Sequence, residues 1–148
     1  DYRYNDGGRK RAGYKGGTGD CLTRALSIVT KKPYQEIYEL VNEFGERERR
    51  DDPSRARTGV YGPTAKRIAE HLGLTWTRTL ASKKTGTALY LTASDLPRGR
   101  IVVSLAGHYC AVINGVIHDT FDPSRKKPKR VYGYFKRSPN IKRTKRKR

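Results

Sequence analysis

Residues 108 to 121, HYCAVINGVIHDTF, restrict their own folding more tightly than any other stretch of the chain: two alternating apolar runs are joined by Asn114-Gly115. An Asn-Gly pair between such runs signals a two-residue type I′ hairpin turn, because both turn positions need positive φ. That turn sets a register in which Ile113 opposes Val116, Val112 opposes Ile117, Cys110 opposes Asp119 and His108 opposes Phe121. Successive strand residues swap faces, so His108, Cys110, Val112, Ile117, Asp119 and Phe121 share one side of the sheet. His108 and Asp119 are then diagonal neighbours, roughly 7 Å apart between the backbones of the two strands and within reach of an imidazole–carboxylate hydrogen bond. His118 and Asp122 fall on the other side.

The rest of the chain changes its periodicity once. Leu22, Ala25, Leu26 and Val29 recur at helical spacing after Asp20, which is placed to cap a helix whose first residue is Cys21. A second helix begins at Pro33 and buries Tyr34, Ile37, Tyr38, Val41 and Phe44. A third opens at Gly62-Pro63-Thr64, carries Ala65, Ile68, Ala69 and Leu72, and stops at Gly73. The charged stretch between them, GERERRDDPSRARTG, has no apolar residue but Ala56 and reads as a surface loop. After Gly73 the pattern becomes strand-like in LTWTRTL, ALYL, RIVVSL, HYCAVI, VIHDTF and VYGYFKR. Helices followed by strands predict an α+β fold, with N-terminal helices packed on an antiparallel β-sheet. One domain over residues 20–135 is expected, between a basic Gly/Tyr-rich arm at 1–19 and a basic tail at 136–148.

The hairpin supplies a base and a group to orient it, but no nucleophile. A cysteine in the first turn of a helix is favoured as thiolate by the helix dipole, and a nearby imidazolium would lower its pKa further. Cys21 is the residue so placed. It would attack an acyl carbon while His108 moves protons and Asp119 holds the imidazole tautomer. Each residue alone also has an ordinary structural explanation, Cys21 as a small core side chain and His108 as a half-buried strand residue. Cys110, on the same face as His108, is read as a core filler, with an oxidation partner for Cys21 as the alternative.

Charge points to a partner. With 33 Lys and Arg against 14 Asp and Glu, the formal charge is +19, which suits a nucleic acid or another polyanion. After Asp122 no acidic residue remains, while 13 Lys or Arg follow. Candidate phosphate contacts are Arg9, Lys10, Arg11, Lys126, Lys127, Lys129, Arg130, Lys142, Arg143, Lys145, Arg146, Lys147 and Arg148, with Tyr2, Tyr4, Tyr14, Tyr132 and Tyr134 as possible stacking surfaces. No stretch is apolar enough to span a membrane, residues 1–20 lack the apolar segment of a secretory signal, no metal-ligand spacing occurs, and no cofactor is expected. A place in a host cytoplasm or a virion interior is expected, without a membrane; the oligomeric state is left open.

GDCLTRALSIVTKKPYQEIYELV resembles the opening of small papain-like proteins common in phages and prophages, and RIVVSLAGHYCAVINGVIHDTFDPS with VYGYF resembles their closing hairpin and strand. The likeness runs over residues 19–135. It implies a papain-like cysteine peptidase fold with the Cys21 helix against the sheet bearing His108 and Asp119, but no particular substrate; a peptide or protein substrate is what the triad itself leads one to expect. One departure matters: the wider papain group places a Gln shortly before the cysteine as an oxyanion donor, whereas this chain's one Gln, Gln35, follows Cys21. Thr18, Asn5 or the Cys21 backbone N–H would have to serve, and one missing donor costs roughly 10²- to 10³-fold in rate. Two functions therefore remain open, a phage-type cysteine peptidase or related amide hydrolase with basic arms, and a weakly active scaffold that binds nucleic acid or acts as a virion component.

Overall fold

The computed structural model describes residues 1–16, 19–79, 89–127 and 129–138. A short strand β1 (Tyr2–Tyr4) leads into three helices, α1 (Cys21–Thr30), α2 (Tyr34–Glu46) and α3 (Gly62–His71). Five strands follow: β2 (Leu74–Arg78), β3 (Arg100–Leu105), β4 (His108–Ile113), β5 (Val116–Asp119) and β6 (Gly133–Arg137). They form one sheet in the order β1-β5-β4-β3-β6-β2. The fold is α+β, as the switch in periodicity predicts.

The sheet is mixed rather than antiparallel. β1 runs parallel to β5, with Tyr2 beside Ile117 and Tyr4 beside Asp119, while the other pairings are antiparallel. Residues 1–19 were expected to be an arm because they lack an apolar stripe. The described part is instead folded in, since an edge strand is held by main-chain hydrogen bonds that need no apolar pattern. Gly7 lies so close to α1 that a Cβ there would sit 2.9 Å from the Arg24 carbonyl oxygen. A second correction concerns ALYL: among its described residues Tyr90 makes an isolated bridge to Arg130, not a strand.

Both faces of the sheet are covered. Val102, Ala111 and Phe135 face the helices, where Leu22, Leu26, Ile37, Val41 and Ile68 complete one core. Ile101, Val103, Cys110, Val112 and Ile117 face the opposite way and pack with Leu91, Leu96 and Val131. A strand buried on both sides loses its alternation, which explains the almost unbroken apolar run of RIVVSL. The hairpin turn has the predicted form, with φ of 48° at Asn114 and 82° at Gly115.

α1 is central, and all residues from Leu22 to Val29 are buried. Its buried hydroxyls each have a partner: Thr23 Oγ1 donates to the Ala56 carbonyl at 3.0 Å, and Ser27 Oγ to the Thr23 carbonyl at 2.8 Å. The helix stops where Lys31 turns left-handed at φ 62°. Arg100 then donates to the free carbonyls of Ile28 and Val29, neutralising the negative end of the helix. This ties the C-terminal end of α1 to β3, and so helps to fix where its first residue points.

Candidate active site

Cys21 is the first residue of α1, His108 the first of β4 and Asp119 the last of β5. Being terminal, they meet at the rim of the sheet rather than in either packed core. His108 Nε2 lies 2.6 Å from Asp119 Oδ2. That bond commits one ring nitrogen to the carboxylate, while Cys21 and His108 line the same cleft and each favours the charged form of the other. Cys21 remains partly exposed, and the Phe121 ring packs beside the imidazole with centroids 5.0 Å apart. Phe121 lies two residues past the end of β5, and the ring contact makes it and His108 the neighbours that the hairpin register predicts.

Behind these three side chains runs a buried chain of charges. Asp119 Oδ1 accepts from Arg24 Nη2 at 3.0 Å and from the Thr120 N–H at 2.7 Å. The other end of Arg24 donates to Asp20, which also receives Arg9 Nη1 at 3.2 Å and the Tyr34 hydroxyl at 2.7 Å. Two guanidiniums therefore face two carboxylates, and the cluster is neutral before Cys21 and His108 are counted. Moving the Cys21 proton to His108 adds one charge of each sign, so a thiolate–imidazolium pair forms here without a net buried charge.

The surroundings favour that pair. Burial opposes the Cys21 thiolate, but the bonds from His108 and the Tyr109 N–H, with the positive charges of His108 and Arg24, outweigh it and hold the thiol below its ordinary value. Burial also opposes the His108 imidazolium, and the bonds to Asp119 and Cys21 overcome it, pushing its pKa up to about 9. Cys110 is the contrast: buried in the second core, it has its pKa pushed up by desolvation, and both cysteines are free thiols. A core filler is what that placement suits.

Other expected roles are redistributed. Asp20 makes no side-chain cap to α1, because its carboxylate is turned inward to Arg24, Arg9 and Tyr34. Asn5 does not face Cys21; its amide meets His118 Nδ1 at 3.3 Å and accepts from the Gly7 N–H at 2.9 Å. Arg9 is not a free surface cation either, since its side chain is 11 % exposed and paired with Asp20. Lys10, Arg11, Lys126, Lys127, Lys129 and Arg130 are exposed. Thr18 and the tail cations Lys142, Arg143, Lys145, Arg146, Lys147 and Arg148 lie outside the described residues. Tyr14 is stacked on Tyr38 at 4.5 Å, and Tyr134 packs on the second core, whereas Tyr2, Tyr4 and Tyr132 are exposed.

Two contributors escaped the sequence reading. Arg24 sits on the buried side of α1, where only its i−4 spacing from Asp20 hints at a partner. The charged stretch before α3 is more than a surface loop: Ala56 is buried, and Ala56, Gly59 and Val60 wall a cleft of about 240 Å³ that opens on Cys21, His108 and Tyr109. Among the described residues no cluster of His, Cys, Asp or Glu is gathered as a metal ion requires, and no helix is long and apolar enough to cross a membrane. Comparison of the chain with protein-family models, curated proteins and solved structures found no match.

Proposed function

We propose that the chain is a papain-like thiol hydrolase that cleaves a peptide or related amide, with Cys21 as nucleophile, His108 as proton carrier and Asp119 as the group that orients and charges the imidazole. One observation carries this reading: His108 joins Asp119 at 2.6 Å through Nε2 and shares a cleft with Cys21, the first residue of α1. The thiolate adds to the acyl carbon, forming a C–S bond. The His108 proton passes to the leaving nitrogen as the C–N bond breaks. Water then attacks the thioester and gives a proton to His108, releasing the acid and restoring the thiolate.

The oxyanion of each addition needs donors. Because α1 has no side-chain cap, the N–H groups of its first turn are left for this purpose, starting with that of Cys21. Without an upstream Gln, slow turnover is expected. The test is digestion of a peptide library read by mass spectrometry. Wild type should produce defined cleavages that vanish in Cys21→Ala and slow roughly 10²- to 10⁴-fold in His108→Ala. Cleavage that survives Cys21→Ala, or none by the wild type, would overturn the proposal.

A second reading, a nucleic-acid-binding scaffold with an idle thiol, draws on the exposed Lys126, Lys127, Lys129 and Arg130, which have no carboxylate partner among the described residues. It requires binding that falls steeply with salt, survives Cys21→Ala and is lost when Lys126, Lys127, Lys129 and Arg130 are together replaced by Gln.

A further inference from the structure

His108 stands between two clefts. The one containing Cys21 is described above; the other, of about 560 Å³, extends away from the thiol and shares Leu105, Gly107 and His108 with the first. Its walls pair the exposed ring of Phe121 with four cations, Arg125, Lys126, Lys129 and Arg130. The one acid lining it, Asp122, accepts from the Ser124 N–H at 2.9 Å and the Ser124 hydroxyl at 2.7 Å. None of the four cations is ion-paired among the described residues.

We propose that this second cleft is the leaving-group subsite of the hydrolase and selects substrates with an acidic residue directly after the scissile bond. The inference rests on the proposed function, and its direction comes from the chemistry. The thiolate must lie against the acyl carbon and His108 against the leaving nitrogen, so the chain beyond that nitrogen runs past His108, away from Cys21. There it meets an apolar wall with a positive rim, complementary to a side chain that ends in a carboxylate. A nucleic-acid strand finds charge here too, but the cleft continues into the thiol site, which a bond-cleaving enzyme would use for its substrate.

The test uses two reagents, bromoacetyl-Glu-Glu-amide and bromoacetyl-Gln-Gln-amide, on the full chain. The Cys21 thiolate displaces bromide from the bromoacetyl carbon, forming a C–S bond, and the attached dipeptide extends to the leaving-group side. Rates are normalised to those with a small free thiol. The Glu reagent should label Cys21 roughly five- to ten-fold faster than the Gln reagent, as one or two partly desolvated ion pairs would give. That preference should shrink with added salt and disappear in Arg125→Gln/Arg130→Gln, yet persist in Arg49→Gln/Lys66→Gln, which lowers net charge equally away from the cleft. Equal rates, or a preference lost in both double variants, would overturn the subsite while leaving the hydrolase reading intact. Equal rates together with slowing of both reagents by a single-stranded oligonucleotide would assign the cleft to nucleic acid. Labelling of Cys21 no faster than Cys110 by either reagent would overturn both proposals.

Discussion

Asp119 carries two loads at once, and its partners separate them. One oxygen holds His108 and the other holds Arg24, so the carboxylate cannot turn without breaking a bond to a cation. Asp119→Asn keeps the shape but removes the charge that supports the imidazolium. Thiol labelling of Cys21 at pH 7 should slow roughly 10²-fold or more, and the upper limb of its pH profile should move down from near 9; an unchanged profile would show that His108 is charged by something else. Arg24→Met is expected to act on stability instead. It leaves Asp20 and Asp119 buried with fewer counter-ions, a loss of about 3–5 kcal/mol readable by urea denaturation. His108 and Asp119 were legible because a two-residue turn leaves a single register. Arg24 was not, because a guanidinium inside a helix stripe looks like a solvated charge until the elements that bury it are in place.

At the level of elements, the site depends on a hairpin and on an edge strand. Gly115 is needed twice, for its φ of 82° and because a Cβ there would fall 2.8 Å from the Ala93 Cβ. Gly115→Ala should therefore cost about 1–3 kcal/mol in a urea titration, and a neutral result would mean that the loop carrying Ala93 gives way. β1 braces the other end of the hairpin: the Asn5 N–H donates to the Asp119 carbonyl at 2.9 Å, and the Tyr2 hydroxyl to the same carbonyl at 3.0 Å. Deleting residues 1–4 should speed hydrogen exchange across 116–119 and slow Cys21 labelling together; faster exchange alone would separate the strand from the site. The helices and the central strands were visible from periodicity, which reports side-chain burial. β1 was invisible to it, since a three-residue edge strand with exposed side chains is recorded only in main-chain bonding.

For the whole molecule, the thiolate–imidazolium pair links chemistry to stability. The folded pKa of His108 lies near 9 against an ordinary 6.5, so its stabilisation is complete below about pH 6.5 and is lost as the pH rises to about 9. Cys21 has the opposite sign. Its lowered pKa contributes stability that is complete above the ordinary value of 9.0 and is lost as the pH falls through the lowered one. Above both 6.5 and the lowered Cys21 pKa, and up to about 9, folded and unfolded chains each hold one proton on these two groups, on His108 when folded and on the thiol when unfolded. The pair then adds no slope to stability against pH. Cys21→Ala breaks that balance, and its urea midpoint should fall as the pH rises from 6.5 in a way the wild type's does not; parallel curves would mean that no pair exists. The most direct test of the account is the pH dependence of Cys21 alkylation by iodoacetamide, with buried Cys110 as the internal reference. The account predicts a thiolate plateau beginning below the ordinary thiol range, labelling of Cys21 well ahead of Cys110, and loss of that plateau in His108→Ala. A Cys21 rate that rises only through the ordinary range near 9, whether or not His108 is present, would contradict it.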